Sequence, residues 1–481
     1  MRSLGVDVGS TNVKAVLVDL PDGDAPVCVV RRAAAPTPDG GAALIRTALA
    51  LVADVAGDDD VVAVGVASMA ETGVPLDEDD APVGDLLRWD PHRAADQARA
   101  LAATLGASAL FRETGVRPGG KAPLATWAYL REREPARWSR MRRWAGAADL
   151  VALALTGRLV TDHTLAGRTM AYRLPAPGGA LEPAFDAELL AAVGLRPEQL
   201  PEVALPGELA GRARAGGPVP AGTPVVVAGH DHPVGTWAAG MRAPGDVADS
   251  LGTAEAVVRV LGARPDPDAV AAAGMSLVRT VGGEDEALVA GSSSAGALVA
   301  WWQERHGGGE DLDALLASAA ALPRTPASPL VLPYLRGRQT PAPDPGATVR
   351  LLGAPADRVA HAAALLDGLA LQARWMLTEQ ARLAGDPAGD PAGTDPAGDV
   401  VVLGAAGRDA WLAAKAAAGP ARLRRVLEDE PVAAGAALLA AHRAGLAPPR
   451  TLQTGPVAGT PAPTYDALYD RFVTAALEGA P

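Results

Sequence analysis

Residues 229–233 read Gly-His-Asp-His-Pro and follow a short apolar run, Val225–Ala228. A carboxylate at the end of a strand, next to a break in the chain, can accept a proton from a hydroxyl as that hydroxyl attacks phosphorus. Asp231 is the candidate for that work, with His232 beside it as a candidate substrate contact. A metal site is the rival reading. Alternate residues of a strand point the same way, so His230 and His232 can converge around Asp231. A plain structural turn is the third reading.

A second segment suits phosphate. In Asp7-Val8-Gly9-Ser10-Thr11-Asn12-Val13-Lys14, Gly9 lets the backbone approach an oxygen without a Cβ in the way. Ser10 and Thr11 add hydroxyls and turn N–H donors, and Lys14 adds positive charge. Asp7 can hold a hydrated Mg²⁺, which prefers one or two carboxylates plus substrate phosphates. An ordinary hairpin turn would look the same. Asp249-Ser250-Leu251-Gly252-Thr253 repeats the order acid, glycine, hydroxyl about half a chain later. A pair of such turns favours the phosphate reading over either turn alone. Glu71, in Ser68-Met69-Ala70-Glu71-Thr72, can bond substrate hydroxyls or be a solvated loop acid. Trp89 can stack on a sugar ring, with Arg93 near it, or belong to the core.

Other chemistries lack their motifs. Gly119-Gly120-Lys121-Ala122 does not supply the Gly-Lys-Ser/Thr of a Walker loop. No Gly-x-Gly-x-x-Gly follows a strand, and there is no Gly-x-Ser-x-Gly elbow.

The elements that must carry these residues are legible from hydrophobic period and turn residues. Residues 4–19 read as a β-hairpin turning at 9–12, and Val61–Val66 as a buried strand. Helical patterns cover 94–105, 123–133 and 144–155. Asp246–Ser250 and Ala254–Leu261 form a second hairpin around Gly252. Ser294–His306 and Ala356–Ala384 read as helices, Val400–Leu403 as a strand, and 408–418 and 430–444 as helices. Residues 385–398 repeat Gly-Asp-Pro-Ala and read as a mobile surface loop with no catalytic role. The repeated hairpin predicts two related α/β domains, 1–242 and 243–448, followed by a tail at 449–481 in which Tyr465, Tyr469 and Phe472 pin a last helix.

Composition narrows the class. Hydrophobic residues make up 49% of the 481-residue chain and aromatics only 4%, so aliphatic side chains must fill the core. The net charge of −13 repels phosphate backbones and argues against nucleic acid as a partner. Cys28 is the only cysteine, which precludes an intramolecular disulfide and fits a reducing compartment. No signal-peptide pattern opens the chain and no apolar run suits a membrane span, so a cytoplasmic protein is expected.

Taken together, the segments resemble the FGGY carbohydrate kinases, a family that includes glycerol kinase and xylulokinase. The resemblance runs from about residue 3 to 445. It rests on Asp7–Val16, Thr156-Gly157 with Thr161-Asp162, Gly229–His232, Asp249–Thr253, Leu332–Pro341 leading into Asp344-Pro345, and Glu430–Ala437. It implies two actin-like, ribonuclease-H-like α/β domains with an interdomain cleft. It also implies an ATP- and Mg²⁺-dependent kinase for a small sugar, a ketose such as xylulose, or a polyol.

On that resemblance Asp231 matches the catalytic base and Asp7 the Mg²⁺-associated acid. Gly9, Ser10 and Thr11 match the first phosphate loop, and Gly252 and Thr253 the second. Gly296 and Gly404 match positions lining the nucleotide, and Glu71-Thr72 looks like the Glu-Thr step of glycerol kinase.

The chain also departs from the family. Ala70 stands where glycerol kinase has arginine. Trp89-Asp90-Pro91-His92-Arg93 has its acid one position early. Gly404–Arg408 alters the glycine-rich adenine segment. A nucleotide- or sugar-binding protein without turnover is the competing class, and the sequence leaves open whether the chain forms a homodimer.

Overall fold

The computed structural model describes residues 1–21, 23, 25–385, 398–404, 409–419 and 421–478. Most of the 385–398 repeat and positions 405–408 of the adenine segment therefore lie outside the described residues. The chain divides into two compact units. One comprises Met1–Arg242, Leu277–Glu286 and Glu430–Gln453; the other comprises Ala243–Ser276, Ala287–Asp429 and Thr454–Pro481. The first unit thus takes in two segments from beyond residue 242. The helix within Glu430–Gln453 packs on the first unit's sheet, and Leu277 donates its N–H to the Gly115 carbonyl at 3.0 Å, contacts that sequence period alone does not reveal.

The first unit is built on a mixed sheet. Strands β1 (Arg2–Val8), β2 (Asn12–Asp19), β3 (Cys28–Pro36), β4 (Val61–Ser68), β5 (Gly211–Arg212) and β6 (Pro224–His230) lie in the order β3-β2-β1-β4-β6-β5. β1 and β2 form the expected hairpin with Val8 opposite Val13, and β1, β4 and β6 run parallel. The three parallel strands are almost continuously buried, as a sheet covered on both faces requires. Leu44, Val52 and Val55 of the helix Gly41–Ala56 and Leu150 and Val151 of the helix Ala147–Thr156 share one buried cluster with Leu4, Val6, Val64 and Val225.

The helix Pro431–Arg443 packs against β1 and β4. It seats unusually deep because those strands carry glycine where it crosses. A Cβ on Gly5 would come within 1.8 Å of the Ala433 carbonyl oxygen, and one on Gly65 within 1.9 Å of that of Ala436. This close approach brings Glu430, the residue capping the helix, to the turn end of the first hairpin.

The second unit repeats the hairpin. β7 (Val247–Leu251) and β8 (Glu255–Leu261) are antiparallel with Leu251 opposite Glu255. Strand Val400–Leu403 continues the sheet in parallel beside β7, followed by Leu423–Val426. The helix Arg358–Ala384 covers this unit with a largely buried apolar face. The last helix, Thr464–Leu477, buries Tyr465, Leu468 and Phe472, and Tyr465 donates a hydrogen bond of 2.8 Å to Asp367.

Candidate active site

Asp231 is the first residue of the helix Asp231–Ala238, directly after β6. Gly229 makes the elbow. Its φ is +127°, and a Cβ there would meet the Thr164 hydroxyl at 2.4 Å and Asp162 at 2.7 Å. Only glycine satisfies both constraints.

The elbow is pinned from behind. The His230 N–H donates to Thr164 Oγ1 at 2.9 Å, and that hydroxyl donates to Asp162 Oδ1 at 2.5 Å. Arg443 donates to Asp162 Oδ2 and to the Val227 carbonyl, both at 3.0 Å. Although burial opposes charge on Asp162, His163 and Arg443 hold its carboxyl well below the usual range. The Thr161-Asp162 motif therefore positions the elbow rather than taking part in chemistry.

Three polar side chains gather at the elbow. His230 Nε2 lies 3.2 Å and His232 Nε2 3.8 Å from Asp231 Oδ1, which also accepts the His232 N–H at 2.7 Å. The two imidazoles stand edge to face with centroids 5.4 Å apart. His230 is buried, and burial, with His232, Arg168 and Lys121 nearby, keeps it well below the ordinary imidazole pKa.

Asp7, at the end of β1, faces the same region. Burial pushes its carboxyl up to about 8; Asp231 adds to the rise, Lys14 opposes it and Glu430 adds again. Asp7 Oδ1 is buried without a hydrogen-bond partner. Lys14 reaches Glu430 at 2.5 Å. An orphaned carboxylate oxygen beside two further carboxylates is a setting that a hydrated divalent cation relieves, so the donor set fits Mg²⁺. Gly9, Ser10 and Thr11 form the turn beyond Asp7, closed by the Gly9 N–H to the Asn12 carbonyl at 3.0 Å.

In the second unit Gly252, Thr253, Gly296 and Gly404 come together. The N–H groups of Gly296 and Ala297 donate to the Gly252 and Thr253 carbonyls at 3.1 and 3.0 Å. A Cβ on Gly404 would meet the Leu251 carbonyl oxygen at 2.0 Å. Behind this turn Lys415 forms buried ion pairs with both Asp249 and Glu255. The sequence reading overlooked that triad; a lone lysine in an otherwise Ala-rich helix was the available signal.

Glu71 is not a solvated loop acid. It is held in the left-handed region at φ +62°. It pairs with Arg168 at 2.7 Å and Lys121 at 3.0 Å. Burial acts to raise its carboxyl, but the two cations bring it below its usual value. Arg168 keeps its Nε and Nη1 buried without a hydrogen-bond partner. Glu71, Trp127 and Trp144 line one pocket of the first unit. Sequence reasoning missed Lys121 and Arg168, which sit far from Glu71 along the chain. Trp89 packs on the first core and donates its N–H to Thr72 at 3.0 Å, while Arg93 donates to the Arg88 carbonyl at 2.6 Å.

Two sheets, each opened by an antiparallel hairpin whose turn carries an acid, a glycine and hydroxyls, define a pair of ribonuclease-H-like domains. Residues 42–237 match the N-terminal domain, and residues 247–444 the C-terminal domain, of the FGGY family of carbohydrate kinases. The chain belongs to that family.

Over 279 residues it is 32% identical to the xylulose kinase of Streptomyces rubiginosus, an alignment covering 55% of each chain. It is 26% identical over 179 residues to the L-fuculokinase of Haemophilus influenzae, covering 36% of each. The chain thus spans about half the length of these xylulose kinase relatives. Among solved structures, the xylulose kinase of Rhodospirillum rubrum superposes with a TM-score of 0.82 at 24% identity, covering 99% of both chains. The glycerol kinase of Plasmodium falciparum with ADP gives 0.79 at 14% identity, covering 100% of this chain and 98% of that one. These structural likenesses are of fold.

Proposed function

We propose that this protein is a cytoplasmic, ATP-dependent kinase that phosphorylates a hydroxyl of a small sugar, a ketose of the xylulose type, or a polyol. The observation that carries the reading is the carboxylate pair of the first unit. Asp231 stands at a glycine elbow, and the carboxyl of Asp7 near it is raised first by burial and then by Asp231.

In the reaction, Asp231 accepts the proton of the substrate hydroxyl as its oxygen bonds to the γ-phosphorus. The bond from that phosphorus to the β,γ-bridging oxygen breaks, and ADP leaves. Gly9, Ser10 and Thr11 donate to phosphate oxygens, as does the Gly252-Thr253 turn, beside Gly296 and Gly404. Lys14 adds positive charge. Asp7 would hold Mg²⁺, with Glu430 behind it; the cation, when bound, neutralises charge on the transferring phosphoryl group. The acceptor hydroxyls are assigned to Glu71, Trp89, Arg93 and His232. Phosphoryl transfer needs positioning and charge neutralisation more than covalent help, so no Walker lysine is required.

Support for a sugar acceptor comes from the family and from the xylulose kinases the chain resembles. The test is ADP release with Mg·ATP against ketoses, aldoses and polyols. Wild type should respond to a ketose or polyol, and Asp231→Ala should lose at least ~10³-fold in transfer while still binding ATP. Undiminished turnover by that variant would remove Asp231 as the base, and silence of the wild type across the panel would refute the kinase reading.

A further inference from the structure

Only seven histidines occur in the chain, and two of them flank Asp231. Their geometry is more specific than that spacing requires. Both Nε2 atoms turn toward the same Asp231 oxygen, at 3.2 and 3.8 Å, and one ligand atom from each of the three residues lies within 4.8 Å of the others. Ligands of a tetrahedral zinc ion at ~2.0–2.1 Å stand roughly 3.3 Å apart. The first pair already has that separation, and the others need small rotations of the Asp231 and His232 side chains. The backbone supplying them is firm: His230 is fixed through Thr164, Gly229 sets the elbow, and the Thr236 hydroxyl bonds the His232 carbonyl at 2.8 Å.

We propose that His230, Asp231 and His232 form a three-ligand site for a divalent cation of the zinc class, leaving the fourth position open. Two imidazoles and one carboxylate suit Zn²⁺ or Co²⁺, whereas Mg²⁺ takes oxygen donors and is directed to Asp7 and Glu430. The chain thus offers two cation sites of different chemistry at one end of β1 and β6. A zinc-class ion coordinated by Asp231 occupies the lone pair needed to accept the substrate proton. It therefore inhibits where Mg²⁺ supports. This last consequence rests on Asp231 being the base; the binding site itself does not.

The experiment is calorimetric titration of the full chain with Zn²⁺ in excess Mg²⁺, without nucleotide or sugar. One ion per chain is expected, weakened at least tenfold in His232→Ala and in Asp231→Asn, with the far-ultraviolet spectrum confirming that each variant folds. His306 and His361, with rings 4.6 Å apart in the second unit, are the competing location. The double variant His306→Ala with His361→Ala should keep the ion; loss of binding there overturns the proposal. So does binding unchanged in His232→Ala, or stoichiometric displacement by Mg²⁺. Should the variants not fold, Co²⁺ bound to wild type decides: intense visible bands of a low-coordinate nitrogen and oxygen site support it, and a weak octahedral spectrum overturns it. If a sugar substrate is found, Zn²⁺ should inhibit competitively against that sugar and release on chelation.

Discussion

The turns that follow β1 and β7 carry the same succession of acid, glycine and hydroxyl, yet their acids end in opposite settings. Asp7 keeps a buried carboxylate oxygen unpartnered, with Asp231 and Glu430 near it, and its pKa is driven up to about 8. Lys14, the cation that opposes the rise, is turned toward Glu430. Asp249 is fully buried and paired with Lys415, which Glu255 also holds. Burial alone would lower the Lys415 ammonium, but the two carboxylates raise it, while burial pushes Glu255 up to about 8 with Lys415 opposing and Asp249 adding. One acid is left demanding a cation from outside; the other has been given one by its own chain. The same acid position thus keeps a carboxylate oxygen without an internal hydrogen bond in one unit and is braced by a buried lysine in the other. The difference is set by what packs behind the hairpin.

The comparison breaks most visibly at Lys415. Replacing it by Met strands two buried carboxylates and should cost about 3–5 kcal/mol, seen as a large fall in thermal unfolding temperature. Neutralising all three groups together, Asp249→Asn with Glu255→Gln and Lys415→Met, should recover most of that loss. Failure to recover would mean that the triad does more than brace. Asp7→Asn is predicted to do the reverse. Stability at pH 7 should rise, because a carboxyl whose folded pKa is raised by burial disfavours the native state above its unfolded pKa, while phosphoryl transfer falls by ~10²-fold or more. A loss of stability in Asp7→Asn comparable to that in Lys415→Met would erase the distinction.

The hairpin's seating is open to a separate test. Gly65→Val drives a side chain into the Ala436 carbonyl and should destabilise the first unit by about 1–3 kcal/mol or more. It should also lower activity by displacing Glu430.

Asp149 gives the smallest and most selective effect. It is 3% exposed and accepts the Gly146 N–H at 2.7 Å. Burial raises its carboxyl to about 7, the bonds from Gly146 and Thr161 opposing and Asp162 adding. Its contribution is therefore fully present below about pH 4 and lost as pH rises through about 7. The slope is at most ~1.4 kcal/mol per pH unit. Asp149→Asn should flatten that part of the profile in pH-dependent denaturation; an unchanged slope would place the titration elsewhere.

Local pattern made much of this legible. Alternation and turn chemistry located both hairpins, and apolar period located the helices 358–384 and 431–443 to within a few residues. The pairing of Gly9–Thr11 with Asp7, and the placing of Asp231 at a strand end, needed only near neighbours. Glu71 shows the limit. Its type and position marked it, but its partners Lys121 and Arg168 come from segments about 50 and 100 residues away, and no spacing rule links them. Trp89 and Arg93 were marked by type and by the family-like segment Trp89–Arg93, and the fold engages them with Thr72 and Arg88.

The sequence by itself determined the class of fold, the two phosphate-type turns and the acid at the elbow, because each depends on residues adjacent along the chain. Tertiary structure decided which segments belong to which unit, which of two equivalent acids is neutralised internally, and what holds Glu71 and the elbow in place. Those outcomes depend on charges and close contacts brought together by packing: Glu430 reaches the first hairpin only because Gly5 and Gly65 let a distant helix sink onto the sheet, and Lys415 reaches Asp249 only from a helix that follows it by more than 150 residues.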